Sequence, residues 1–210
     1  MPEKDRATAG EWVFAAIKLL VGGALFWGVT GWISVDQEIL SGWVGMVGLI
    51  LMLHFGAFHL LSCAWRSVGI DARPLMNRPL ASVSVGEFWG RRWNTAFRDF
   101  THRFLFRPLN SWLGSRRAII AGFLFSGIIH DLVISFPAGG GYGWPTLFFG
   151  TQAAAIFAER SRAGRAIGLG RGWRGWLFTM LILALPVYGL FHPPFVMNII
   201  VPFMRALGAR

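Results

Sequence analysis

FLFSGIIHDLVISF, residues 123–136, is the stretch on which the reading of the fold turns. It has the apolarity of a membrane crossing, yet His130 and Asp131 stand side by side deep inside it. Ionisable groups in hydrocarbon are expensive, so the pair is either shielded by something or used by something.

The rest of the 210-residue chain agrees with that setting. With 54% hydrophobic and 15% aromatic residues it is too apolar for an ordinary soluble domain, whose polar surface must cover its core. The formal charge of +10 would suggest nucleic acid in a soluble protein. Here the basic residues lie between apolar runs, where anionic lipid heads attract them, and this argues against a nucleic-acid partner. The single cysteine, Cys63, offers no internal disulfide, and no Cys/His spacing suggests a structural metal. The first apolar run is too long for a signal-peptide core and reads as a retained span.

Roughly 20 apolar residues cross a bilayer. Runs near that length lie at about 12–33, 42–63, 118–136, 144–159 and 175–191, with a shorter one at about 195–204. The run 144–159 is brief enough to be tilted, re-entrant or buried against neighbours. Of the 20 Lys and Arg residues, Lys18 lies on the first span and the other 19 fall in the N-terminal segment, in residues 64–117, in the connector 160–174 or in the tail. The links SVDQEIL, PAGGGYG and HPP contain none, so the positive-inside rule places both termini and residues 64–117 in the cytoplasm. The expectation is an all-α polytopic membrane protein with five to six spans, forming one domain over residues 1–210. Its membrane would be the inner membrane of a bacterium or the endoplasmic reticulum of a eukaryotic cell.

SVSVGEFWGRRWNTAFRDFTHRFLFRPL, residues 82–109, is organised differently from the spans. Ser84 followed by Glu87 has capping-box spacing and Pro108 marks the other end, which predicts a helix over residues 85–107. Trp89, Trp93, Phe97, Phe100 and Phe104 recur at helical spacing, with Arg91, Arg98 and Arg103 largely off that face. This describes an amphipathic helix seated at the membrane interface. Anchoring in the headgroup layer accounts for the stripe but not for Asn94, a polar amide between Trp93 and Thr95.

Within the opening stretch, Gly122, Ser126 and His130 are spaced i, i+4, i+8, so two small residues stack beneath the imidazole. Small residues allow close helix packing. They also leave room beside the histidine. Asp131 points about 100° away and is expected to meet an arginine or an amide on another helix. With a helix start near Ala118, His130 lies about 18 Å along the axis, beyond easy reach of cytoplasmic water. A packed histidine bonded to a backbone carbonyl is the structural alternative to a functional one. His54 and His59 do not share a helix face, and His102 and His192 read as boundary residues. Gln152 and Asn198 read as interhelical hydrogen-bonding amides.

EFWGRRWN (residues 87–94), followed by HRFLFRPL, FLFSGIIHDL and PAGGGYGWPTLFFGTQAAAIFAER, resembles the wax synthase-like branch of the membrane-bound O-acyltransferases over about residues 78–160. The resemblance implies a multi-span helical enzyme that transfers a fatty acyl group from acyl-CoA to a hydroxyl acceptor, a long-chain alcohol in this branch. It maps the intramembrane histidine onto His130 and the upstream polar residue onto Asn94. Members of the family are usually longer, so a minimal form, a homo-oligomer that completes its cavity with a neighbour, and an inactive relative all stay open.

Such a reaction needs a base for the alcohol and stabilisation of the oxyanion. His130 suits the first role and Asn94 the second. CoA phosphates call for arginines at the cytoplasmic face, with Arg91, Arg92 and Arg98 the first choices, Trp89 and Trp93 lining the mouth, and Gly122 and Ser126 lining the acyl channel. Contact with lipid headgroups explains the same arginines equally well. No metal or prosthetic group is expected; acyl-CoA is a cosubstrate, and the partners are acceptor and membrane lipids. Two other classes compete: a small transporter or channel using His130, Asp131 and Gln152, disfavoured by the scarcity of acidic residues in the spans, and a non-catalytic membrane scaffold.

Overall fold

A computed structural model describes residues 6–210, and among these the ordered elements are all helical. Among the described residues, four helices are long and apolar enough to cross a membrane: Ala9–Trp32, Glu38–Ser67, Thr95–Ala138 and Gly172–Leu190. The expected run at 144–159 forms the 17-residue helix Trp144–Arg160. The short terminal run is the helical stretch from Pro193 to Ala206. Contacts group the chain into two compact units, one comprising residues up to Met76 with Val196–Arg210, the other Asn77–Phe195.

In the first unit, Ala9–Trp32 starts at a true capping box. The Thr8 hydroxyl accepts the Glu11 N–H at 3.2 Å, and the Glu11 carboxylate accepts the Thr8 N–H at 3.0 Å. Helices Ala9–Trp32 and Glu38–Ser67 then approach at Gly22 and Gly48, where a Cβ on either would lie 2.7–2.8 Å from the carbonyl of the other. Small residues replace side-chain bulk with backbone contact, as helix pairs in lipid require. Two polar pairs join the helices: Glu11 with Arg66 at 2.9 Å and the Lys18 ammonium with His59 Nδ1 at 2.7 Å. The terminal helix is tied in by the Trp27 indole and the Thr30 hydroxyl, which donate to the carbonyls of Leu207 and Ala209.

The second unit holds the whole EFWGRRWN and FLFSGIIHDL region. Its helical turn Val85–Glu87 begins where the sequence predicts, with the Ser84 hydroxyl accepting the Glu87 N–H at 2.9 Å. The returning bond of the box goes to the Val83 N–H, 2.8 Å from Glu87, rather than to Ser84.

The expected helix over residues 85–107 is corrected in two respects. It breaks after the widened turn Phe88–Arg92, where Trp93 is extended and Asn94 is left-handed at φ 41°. Asn94 then caps the next helix, its side-chain oxygen accepting the Phe97 N–H at 3.2 Å. Asparagine tolerates the left-handed region and is among the best N-caps, so a residue read as a misfit within one helix is the boundary between two. Nor does Pro108 stop the chain. The π-wound turns His102–Phe106 precede it, so the missing proline N–H falls where the bonding pattern is already shifted. The helix runs on to Ala138 with a kink at Gly114, whose φ of 75° is available without strain only to glycine.

Candidate active site

The helix Trp144–Arg160 organises the site. Pro145, Phe148, Phe149, Gln152, Ala155, Ile156 and Glu159 are buried along it, a seven-residue repeat of one face. Phe148 and Phe149 form a core with Ile134 and Leu190, and Val85 forms a second core with Ala155 and Ile156. Trp89 packs against both.

His130 lies against this face. Its ring sits 4.5 Å from that of Phe149, tilted by 49°, and Phe149 is 5.5 Å from Trp89. His130 Nδ1 is 2.6 Å from the Ser126 carbonyl oxygen. A carbonyl only accepts, so Nδ1 carries the hydrogen and Nε2 the lone pair. The structural alternative for this histidine, a bond to a backbone carbonyl, is therefore present, and it also selects the tautomer in which Nε2 is the basic nitrogen. One turn and two turns back, Ser126 supplies that carbonyl and Gly122 faces open space, with no atom within 4 Å of an added Cβ.

Asp131 points elsewhere, as its helical angle requires, and meets amides of another helix, backbone ones, together with two hydroxyls. One oxygen accepts the Gly143 N–H at 2.7 Å and the Ser135 hydroxyl at 3.0 Å; the other accepts the Thr146 N–H at 3.1 Å and the Thr146 hydroxyl. These amides open the helix Trp144–Arg160, where a carboxylate complements the helix dipole. Ser135 in turn is 3.0 Å from His192 Nε2, and His192 Nδ1 accepts the Phe195 N–H at 3.2 Å. His192 is 2% exposed, so the residue read as a boundary histidine belongs to a buried network.

Among the other candidates, Trp89 enters the core and donates its indole N–H to Gln152 at 3.3 Å. Gln152 is fully buried and donates to the Ile182 carbonyl at 3.0 Å, the interhelical role expected of it. Trp93 stacks on Phe88 at 5.4 Å. Arg91 is exposed. Arg92 is turned onto Glu87, at 2.7 and 2.8 Å, and reaches the carbonyls of Asn77 and Arg78. Arg98 pairs with Asp99 at 3.0 Å and reaches the Gly90 carbonyl. Burial alone would raise the Glu87 carboxyl, but the Val83 N–H and the Arg92 guanidinium outweigh it and hold Glu87 below its usual range. Ring contacts thus bring His130 and Trp89 into one cluster, whereas Asn94 caps the helical stretch that precedes the kink at Gly114 and His130 lies on the stretch beyond it. Glu159 was missed as part of this arrangement. The one readable signal was its seven-residue spacing from Gln152 on a single helix face.

Residues 72–151 match the model of the Membrane bound O-acyl transferase family. Over 92 residues the chain is 33% identical to a probable long-chain-alcohol O-fatty-acyltransferase 9 of Arabidopsis thaliana, covering 40% of this chain and 27% of that protein. It is 32% identical over 74 residues to the long-chain-alcohol O-fatty-acyltransferase of Simmondsia chinensis, covering 31% and 21%. A probable long-chain-alcohol O-fatty-acyltransferase 7 of Arabidopsis thaliana aligns over 148 residues at 25% identity, covering 62% and 42%. The chain spans less than half the length of these curated relatives. No solved structure matches it. The resemblance carried by EFWGRRWN and FLFSGIIHDL, to the wax synthase-like branch of the membrane-bound O-acyltransferases, holds.

Proposed function

We propose that this chain is the core of a membrane-embedded O-acyltransferase that moves a fatty acyl group from acyl-CoA to the hydroxyl of a long-chain alcohol, giving a wax ester. The observation that carries the reading is the state of His130: a histidine within an apolar helix, its Nδ1–H held by the Ser126 carbonyl so that Nε2 is left basic. Nε2 takes the alcohol proton as the alcohol oxygen attacks the thioester carbonyl. The C–S bond then breaks, and the CoA thiolate leaves with the proton returned from His130. Asn94 donates its amide N–H to the carbonyl oxygen or orients the acceptor hydroxyl. Gly122 and Ser126 line the acyl channel, a role favoured by the open space at Gly122. The step needs no metal or prosthetic group.

The CoA end docks from the cytoplasmic side. Arg91 is the first contact for phosphate, with Arg92 and Arg98 beside it and Trp93 at the mouth, while Trp89 packs in the aromatic cluster. Both termini lie in the cytoplasm and the chain crosses five to six times, with Trp144–Arg160 and the terminal helix completing the four longer spans. The positive-inside distribution supports this layout. Phe97, Phe100 and Phe104, each at least 41% exposed, with the Arg103 guanidinium 5.5 Å over the Phe104 ring, support seating of the first turns of Thr95–Ala138 at the interface.

Purified protein in detergent, given labelled palmitoyl-CoA and a panel of fatty alcohols, sterols and diacylglycerol, should form an ester with the fatty alcohols. His130→Ala should abolish it. Undiminished ester formation in that variant overturns the mechanism.

A further inference from the structure

Glu159 ends the helix whose Phe149 supports His130, and it is 5% exposed. Its two oxygens accept the backbone N–H groups of Val85 at 2.8 Å and Gly86 at 3.0 Å, so one carboxylate holds the start of the EFWGRR element across 74 positions of sequence. Two turns back on the same face, Gln152 accepts the Trp89 indole N–H. The helical turn beginning at Val85 and the helix Trp144–Arg160 therefore run antiparallel, fastened at two points one helical stretch apart.

The other side of the element is closed as well. The Trp176 indole donates to the Leu80 carbonyl at 2.8 Å, and a Cβ on Gly175 would lie 2.3 Å from the Val83 carbonyl oxygen. A Cβ on Gly86 would lie 3.0 Å from Glu159 itself. With its backbone held on both sides, the element has little freedom in the depth at which Trp89 enters the aromatic cluster. Trp89 is the ring that backs Phe149, and Phe149 is the ring that backs His130.

We propose that Glu159 is a positioning residue for acyl transfer: by clamping the Val85 and Gly86 amides it sets the placement of Trp89, and through Phe149 the orientation of the His130 imidazole. The proposal rests on the O-acyltransferase reading for its catalytic part and on geometry alone for the clamp. Glu159→Gln keeps the size of the side chain but turns one acceptor into an N–H that faces an amide donor. Glu159→Asp withdraws the carboxylate by one methylene and should not rescue.

The experiment has two arms on the detergent-purified full chain. Amide hydrogen exchange of residues 82–87 should be slow in the wild type and at least about tenfold faster in Glu159→Gln, because the protecting acceptor is lost. Ester formation should fall about tenfold in Glu159→Gln, since small misplacements of catalytic groups are costly. In a Trp89→Ala background the same substitution should change the rate less than about twofold, because residues acting through one another are not additive. A merely structural glutamate would lower both backgrounds alike, and that result overturns the positioning role. Fast exchange at residues 82–87 in the wild type overturns the clamp. If Glu159→Gln does not fold, Gly86→Ala presses on the same carboxylate and should give the same exchange and the same non-additivity; unchanged exchange there also overturns the clamp. If the wild type makes no ester, the O-acyltransferase reading and the catalytic part of the proposal fail together, while the exchange arm still decides the clamp.

Discussion

His130 and Asp131 are neighbours in sequence, yet they belong to two different kinds of polar region. Around His130 the surroundings are aromatic, one ring nitrogen is anchored to the Ser126 carbonyl, and the other keeps its lone pair. Around Asp131 both carboxylate oxygens are occupied by backbone amides and hydroxyls, and Ser135 passes the network on to His192. On the proposed reading, the contrast is that between a structural polar group and a working one inside an apolar fold. A group that only stabilises has its bonding capacity filled, because a buried unmade bond is costly. A group kept for chemistry is held at one end and left available at the other.

Substitutions should separate the two regions. The largest effect is expected at His130: His130→Ala should lower ester formation by at least about 100-fold, the scale of a lost general base, while the thermal midpoint of the detergent-solubilised protein moves little. A matching fall in the midpoint would erase the contrast. Asp131→Ala should do the reverse. Removing an acceptor that serves two backbone amides and two hydroxyls should cost about 3 kcal/mol or more and appear as a marked drop in thermal midpoint. Ester formation per folded molecule should fall less than in His130→Ala.

A smaller loss is expected where the network ends. Ser135→Ala leaves the buried His192 Nε2 without its partner and should cost about 1–2 kcal/mol by the same thermal measurement. The smallest effect concerns pH. Glu87 has a folded value below its unfolded one, so its contribution is present at neutral pH and is lost as pH falls from the usual glutamate value of about 4.3 through the lower folded value. Thermal midpoints of the wild type and Glu87→Gln should therefore converge on acidification. Divergence would show that the Glu87–Arg92 pair is not what holds the turn.

Particular residues show how far sequence could lead. The start at Ser84 was legible because a cap is a local event between residues three apart. The direction of Asp131 away from His130 was legible because helical angle is local too. The break at Asn94 was not: an aromatic stripe at helical spacing continues across it, and periodicity cannot register a single left-handed residue. Pro108 misled for the related reason that its usual helix-stopping effect assumes regular α turns before it, whereas the turns there are widened. For His192, a position beside two prolines suggested a boundary, and only burial revealed its bond to Ser135.

Apolar helices of membrane-crossing length, and the one among them that carries His130, are readable from the residues alone. Hydrophobic runs and helical spacing are properties of neighbouring residues, and hydrocarbon forces such runs to satisfy their own backbone bonds. That Asp131 caps Trp144–Arg160, that Trp89 shares a cluster with His130, and that Glu159 holds Val85 and Gly86 emerge only from the folded chain. Those choices depend on which groups meet across 12 to 74 positions of chain, a matter of packed distance that no local pattern encodes.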